Sequence, residues 1–310
     1  MKRLFKWTLR LIAVIVLLIG GLCAYIYYAS GRQLNQTYNV SAPTLTIPTD
    51  AASLARGKYL VEKVSMCTEC HDKDLGGKIM MDDGAMGRLA AANLTSGRGG
   101  IGATYSNDDI ARVLLHGVKK DGHSVLFMPS NDFRFNETDA AAVIAYLRSV
   151  PPVDRDQPAA SIGPIARALS LFTSFPLVTA SKIDHATVKF VAADAATATD
   201  PAAAGRYLVA SAGCHGCHGP ELQGGGGPPP GASNITPVGI GTWSEQDFFT
   251  ALREHKRPNG STIEDAMPRG YGQMADEDLR KIFSYLKTVP PSGEKSKNQL
   301  KADQLKAAGI

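Results

Sequence analysis

Two five-residue clusters, "CTECH" at 67–71 and "CHGCH" at 214–218, hold four of the five cysteines of this 310-residue chain. Each sits in a longer shared context, "GKYLVEKVSMCTECH" from Gly57 and "GRYLVASAGCHGCH" from Gly205. The likeness continues downstream: "NLT" at Asn93 answers "NIT" at Asn234, "FMPS" at Phe127 answers "AMPR" at Ala266, and "AYLRSVPP" answers "SYLKTVPP". From Ile101 and Ile240 to the closing prolines the copies stay about 139 residues apart. A repeat of this kind is one structural unit used twice. It places one copy over 51–153 and the other over 201–292, with 31–50 and 154–200 as linkers and 293–310 as a polar, mobile tail.

Within each copy the spacing predicts three helices. The first starts at an N-cap, Asp50 in the first copy, and runs to the cysteine cluster. Ser106 and Ser244 open the second, with acidic residues in the first turn where the helix dipole favours them. The third begins near Thr138 or Asp276 and stops before a Pro-Pro pair, which cannot continue a helix. Val143, Ile144, Leu147 and Val150 fall on its inner face. No strand pattern competes, so the fold class is all-α. In the second linker, "IGPIARALSLFTSFPLV" is apolar but holds Arg167 and two prolines. It reads as a short helix covering the seam between the copies, with a surface touching lipid or a partner as the alternative.

Ahead of the repeats, Lys2, Arg3, Lys6 and Arg10 precede "LIAVIVLLIGGLCAYIYY", an uncharged run long enough to cross a bilayer. Trp7 and Tyr25, Tyr27 and Tyr28 bracket it as interfacial residues do. Its length favours a retained anchor over residues 1–30 rather than a cleaved signal peptide. The positive-inside rule puts the amino terminus in the cytoplasm and both repeats outside, on the periplasmic side of a bacterial inner membrane. The four N-terminal charges account for the whole excess of 33 basic over 29 acidic residues. The body is therefore neutral, which gives no reason to expect a nucleic-acid partner. Cys23 follows Leu22, not the small residue that lipidation requires, and is one more apolar residue of the span.

Cysteines three apart on a helical turn share a face. In C-x-x-C-H they can bond both vinyl groups of one haem while the next residue offers its imidazole to the iron, the c-type attachment pattern. A zinc site needs a second close pair in the same unit, and a dithiol redox pair belongs at a strand-to-helix junction; the sequence shows neither. Two covalently attached haem c groups are expected, on Cys67, Cys70 and His71 and on Cys214, Cys217 and His218. Methionine is the usual second axial ligand of an electron carrier. Among Met66, Met80, Met81, Met86, Met128, Met267 and Met274, only Met128 and Met267 occupy matching columns, each before a proline. Met274 aligns with Phe135 and reads as a packing residue. His123 is an alternative ligand but aligns with Ser261. His116 and His255 stand one column out of register and read as surface residues; His215 points away from the cofactor.

These residues resemble the class I c-type cytochromes. The order "NLT/NIT … GIG … DG … MP … AYL … VPP" is similar to the cytochrome c subunits of membrane-bound alcohol and sugar dehydrogenases. The chain departs from them in carrying two haem motifs instead of three and in its apparent uncleaved anchor. The resemblance implies two tandem class I cytochrome c domains after an N-terminal transmembrane helix. It also implies close crossings at Gly57 with Tyr146 and at Gly205 with Tyr285, and Asn93, Asn234, Tyr105 and Trp243 near haem propionates. The function it implies is an electron carrier, not an enzyme, passing single electrons from a dehydrogenase or quinol oxidiser to an oxidase or another cytochrome. A dihaem peroxidase-like enzyme with one open iron is the alternative.

Overall fold

The apolar N-terminal segment forms one continuous helix, α1 (Lys2–Leu34), long and apolar enough to span a membrane. Its middle is bare of protein neighbours, Leu17 being 74% exposed. The computed structural model describes residues 2–173, 175, 177–192, 199–227, 231–296 and 299–300.

In the first repeat α2 (Ala51–Tyr59) starts where Asp50 accepts a hydrogen bond from the Ser53 amide at 2.9 Å. It passes into a π-helical turn over Leu60–Val64 before α3 (Cys67–His71). The stretch from the glycine to the cysteine is one residue longer here than in the second repeat. A π-turn absorbs one extra residue without interrupting the helix. An antiparallel hairpin follows, β1 (Ile79–Asp83) with β2 (Gly87–Ala90). Then come α4 (Asn107–His116), with a full capping box between Ser106 and Asp109, and α5 (Glu137–Ser149). The linker adds β3 (Ser161–Ile162) to the hairpin and then forms α6 (Pro164–Phe172). The three-stranded sheet modifies the all-helical expectation locally; the chain remains mostly helical.

The second repeat runs α7 (Pro201–Ser211), α8 (Cys214–His218), α9 (Pro237–Ile240), α10 (Glu245–Glu254) and α11 (Asp276–Thr288). Ser244 and Asp247 repeat the capping box of α4. First and last helices cross in each copy, α2 with α5 and α7 with α11. At the crossings a Cβ on Gly57 would meet Ala142 O at 2.0 Å and Tyr146 Cβ at 2.9 Å, and one on Gly205 would meet Lys281 O at 1.8 Å and Tyr285 Cβ at 2.9 Å. Only glycine permits that approach.

Linker and tail depart from expectation. α6 packs along α1 instead of covering the seam, with Arg167 donating to Ser30 Oγ at 3.0 Å. Further on, Leu177, Val178, Thr179 and Ala180 are buried in the first repeat. In the tail, Gln299 is 6% exposed and donates to Asn234 O at 2.9 Å, so that part is tied down. The rest of the expected mobile end, 301–310, lies outside the described residues.

One apolar core runs through both repeats, and matching residues meet across the seam. Tyr59 Oη donates to Asp278 at 2.7 Å and accepts from the Ala275 amide at 3.0 Å. Its counterpart Tyr207 donates to Asp139 at 2.5 Å and accepts from the Asn136 amide at 3.3 Å. The contact is self-complementary, as in a two-fold dimer. Arg56, where the second copy has Ala204, breaks the symmetry with paired bonds of 2.9 and 2.7 Å to Asp139. Removing the guanidinium leaves a carboxylate that is 5% exposed without its cation. Arg56→Ala is therefore expected to cost about 2–3 kcal/mol, less than a fully buried pair because Arg56 is itself partly solvated. Denaturant unfolding checks this, and Asp139→Asn in the same background should recover most of the loss.

Candidate functional site

Both cysteine clusters form a single helical turn flanked by residues at positive φ. Met66 (46°) and Asp72 (67°) flank α3; Gly213 (74°) and Gly219 (81°) flank α8. Asp72 has ψ 164°, in a region natural to glycine, which its counterpart Gly219 is. Three residues further on Leu75 and Leu222 are left-handed as well, at 57° and 61°. The same strained path thus recurs where two different sequences must present the same side chains.

The imidazoles of His71 and His218 are buried. His71 Nδ1 lies 2.8 Å from Ala92 O, and His218 Nδ1 lies 2.7 Å from Ser233 O. A carbonyl oxygen only accepts, so Nδ1 carries the proton in each ring and Nε2 keeps its lone pair. Burial lowers both pKa values, outweighing the carbonyl bond that raises them. Each ring is a neutral base with one nitrogen oriented and the other available, the arrangement found in metal-ligating histidines.

Burial also pushes the Cys67 and Cys214 thiols up to about 12 and raises Cys70. Among the described residues no group of three His, Cys, Asp or Glu side chains converges to hold a metal. Cys67 and Cys214 pack against the core; Cys217 is exposed.

In the second repeat one cavity collects the expected site. Cys214, Cys217, His218 and Met267 all line it, together with Trp243 and Tyr271. Thiols, a basic imidazole nitrogen and a thioether around an apolar space are the donor set of a covalently held haem with His/Met ligation, so the residues fit that group. In the first repeat Met128 packs against the same core as Cys67. Its carbonyl accepts from Thr179 Oγ1 at 2.5 Å, and Phe127 before it is held at φ 59° with its amide donating to Leu177 O at 3.0 Å. The linker therefore clamps the Met128 loop. Nothing in the Ala-, Pro- and Thr-rich composition of that linker signalled the role.

The remaining candidates separate by position. Met274 is buried core, as its alignment with Phe135 predicted; Met66 packs its sulfur against Gly270; Met80 is exposed on β1. His123 lies half-exposed beside Asp121. His116 and His255 are corrections: both are buried, at 5% and 1% exposure. His116 meets His185, Nδ1 to Nδ1, at 3.1 Å, while His255 forms the left-handed cap of α10 where Gly117 caps α4. Asn93 and Asn234 are loop clamps whose amides are fully engaged. Each accepts from the threonine two residues on and donates to nearby carbonyls, Val153, Arg155 and Arg98 for Asn93, Ser292 and Glu294 for Asn234. Tyr271, which spacing did not single out, donates to Ala212 O at 2.7 Å beside α8.

Residues 202–290 match the family described as "Cytochrome c", and residues 52–147 match "Cytochrome C oxidase, cbb3-type, subunit III". The chain is 30% identical over 296 residues to the fructose dehydrogenase cytochrome subunit of Gluconobacter japonicus, covering 83% of this chain and 57% of the relative. It is 28% identical over 278 residues to the cytochrome c subunit of the quinone alcohol dehydrogenase of Komagataeibacter europaeus, covering 78% and 57%. With the gluconate 2-dehydrogenase cytochrome c subunit of Pantoea cypripedii it shares 29% over 274 residues, covering 77% and 60%. The chain thus spans somewhat over half the length of these relatives.

Proposed function

Since the chain belongs to the c-type cytochromes, with two cytochrome c domains behind an N-terminal apolar helix that fits a membrane anchor, we propose that it is a dihaem electron relay. The proposed domains cover 51–153 and 201–292, and the haem-bearing residues are Cys67, Cys70, His71 and Met128 in one, Cys214, Cys217, His218 and Met267 in the other. The observation carrying this reading is the cavity in which both cysteines of the second motif, its histidine and the repeat-matched methionine come together. Bound haem c supplies a one-electron iron couple.

The chain's own residues do the rest. Ala92 and Ser233 carbonyls orient the imidazoles, and the core excludes water around them. Met128 and Met267 would offer the iron a thioether ligand, which suits electron transfer and would hinder substrate binding at the metal. The relatives' names point to a dehydrogenase as the electron donor and so to an oxidase or a further cytochrome as acceptor. The asymmetry of basic residues about α1 supports a periplasmic location for both domains. A membrane tether raises the concentration of the carrier near such partners.

Met267→Ala tests the assignment. Both haems should remain covalently attached, one iron should bind carbon monoxide, and one reduction potential should fall because the thioether that raises it is gone. Unchanged optical spectra and unchanged potentials would remove Met267 from the ligands. Rapid carbon monoxide or peroxide reaction by the unaltered protein would favour the enzyme reading.

A further inference from the structure

We propose that α6 is a second membrane contact: an amphipathic helix lying in the headgroup–acyl boundary of the bilayer. This rests on reading α1 as a membrane span. Ile165, Ala168, Leu169 and Phe172 stand at i, i+3, i+4 and i+7, one face of the helix. Ile165 is 49% and Phe172 59% exposed, among the few large apolar side chains outside α1 that face solvent. The opposite face is fixed to α1, with Ala166 fully buried. Arg167 reaches Ser30 Oγ at 3.0 Å, and its guanidinium sits over the Tyr27 ring 4.9 Å from the centroid.

That docking sets the depth of α6. The uncharged run of α1 covers residues 11–28 and rises about 27 Å, close to the roughly 30 Å of a hydrocarbon core. Residues 27–30, Tyr27 and Tyr28 among them, therefore lie where acyl chains give way to headgroups, with Tyr25 within a turn. A short helix pinned at that level meets the same layer as the tyrosines, and its free apolar face is what such helices bury there. Three residues beyond Phe172, Phe175 packs against Phe127, their rings 5.6 Å apart.

The test uses the full holoprotein in vesicles of phosphatidylethanolamine and phosphatidylglycerol that include a phospholipid with a diazirine high on its acyl chain. After illumination, adducts are mapped by mass spectrometry. Adducts on α1 and on the peptide carrying Ile165 and Phe172, lost from that peptide but kept on α1 in the Ile165→Ser, Phe172→Ser variant, are the expected result. Adducts on α1 with none on α6 would overturn the inference and leave the anchor standing. No adducts on α1 would remove the anchor and the inference together.

Discussion

Replacing Gly205 with alanine is expected to unfold the second cytochrome domain or bring it close to unfolding. A Cβ there would stand 1.8 Å from Lys281 O and 2.4 Å from Lys281 C. Those atoms are backbone inside α11, so no rotamer change relieves the clash, and the helices must separate by more than an ångström. The α7–α11 crossing is the main helix contact of that domain and holds Leu208, Val209, Leu279 and Ile282 at 6% exposure or less. Typical overpacking costs about 1–3 kcal/mol, and an interior whose backbone must shift loses about 4 kcal/mol or more. Gly57→Ala should do the same to the first domain, with Ala142 O at 2.0 Å. A Cβ on Gly84 would meet no atom within 4 Å, so Gly84→Ala is the control and should shift stability by less than about 0.5 kcal/mol. Thermal unfolding followed by circular dichroism reads all three. Equal melting of Gly205→Ala and Gly84→Ala would show that the crossing tolerates a side chain.

The helix starts at Ser106 and Ser244 and the apolar face of the first copy's third helix were legible because each depends on a few residues at fixed local spacing. Gly205 with Tyr285 joins residues distant in sequence, and that crossing came from the family resemblance and not from spacing. Features that depend on which surfaces meet were not legible. The periodicity of α6 shows an apolar face but not its neighbour, and the Arg167–Ser30 contact joins residues far apart in sequence. His255 read as exposed because it stands out of register between the copies; in the fold it takes the left-handed cap of α10 and is buried. The hairpin over 79–90 was missed because its short strands carry mixed side chains with little alternation. The π-turn was present as a one-residue excess before Cys67, and the repeat itself is what makes that excess visible.

Changing Cys214 and Cys217 together to serine is expected to reduce covalent haem from two per chain to one. A serine hydroxyl does not form the thioether link, so His218 and Met267 alone would have to retain the group. The loss should reach beyond the cofactor. The cavity it would fill is lined by Leu252, Ile282 and Leu286, the last two on α11, and a ligand held by the folded state stabilises that state. The second domain should therefore melt at lower temperature while the first keeps its haem, a separation that a general folding defect would not produce. Haem content per chain, haem-dependent staining of denaturing gels and domain-resolved melting check the three consequences. If both centres serve the relay, the variant with one haem should pass electrons from donor to acceptor more slowly than the unaltered protein. Two haems per chain in this variant would sink the attachment site, and unimpaired transfer with one haem would sink the relay.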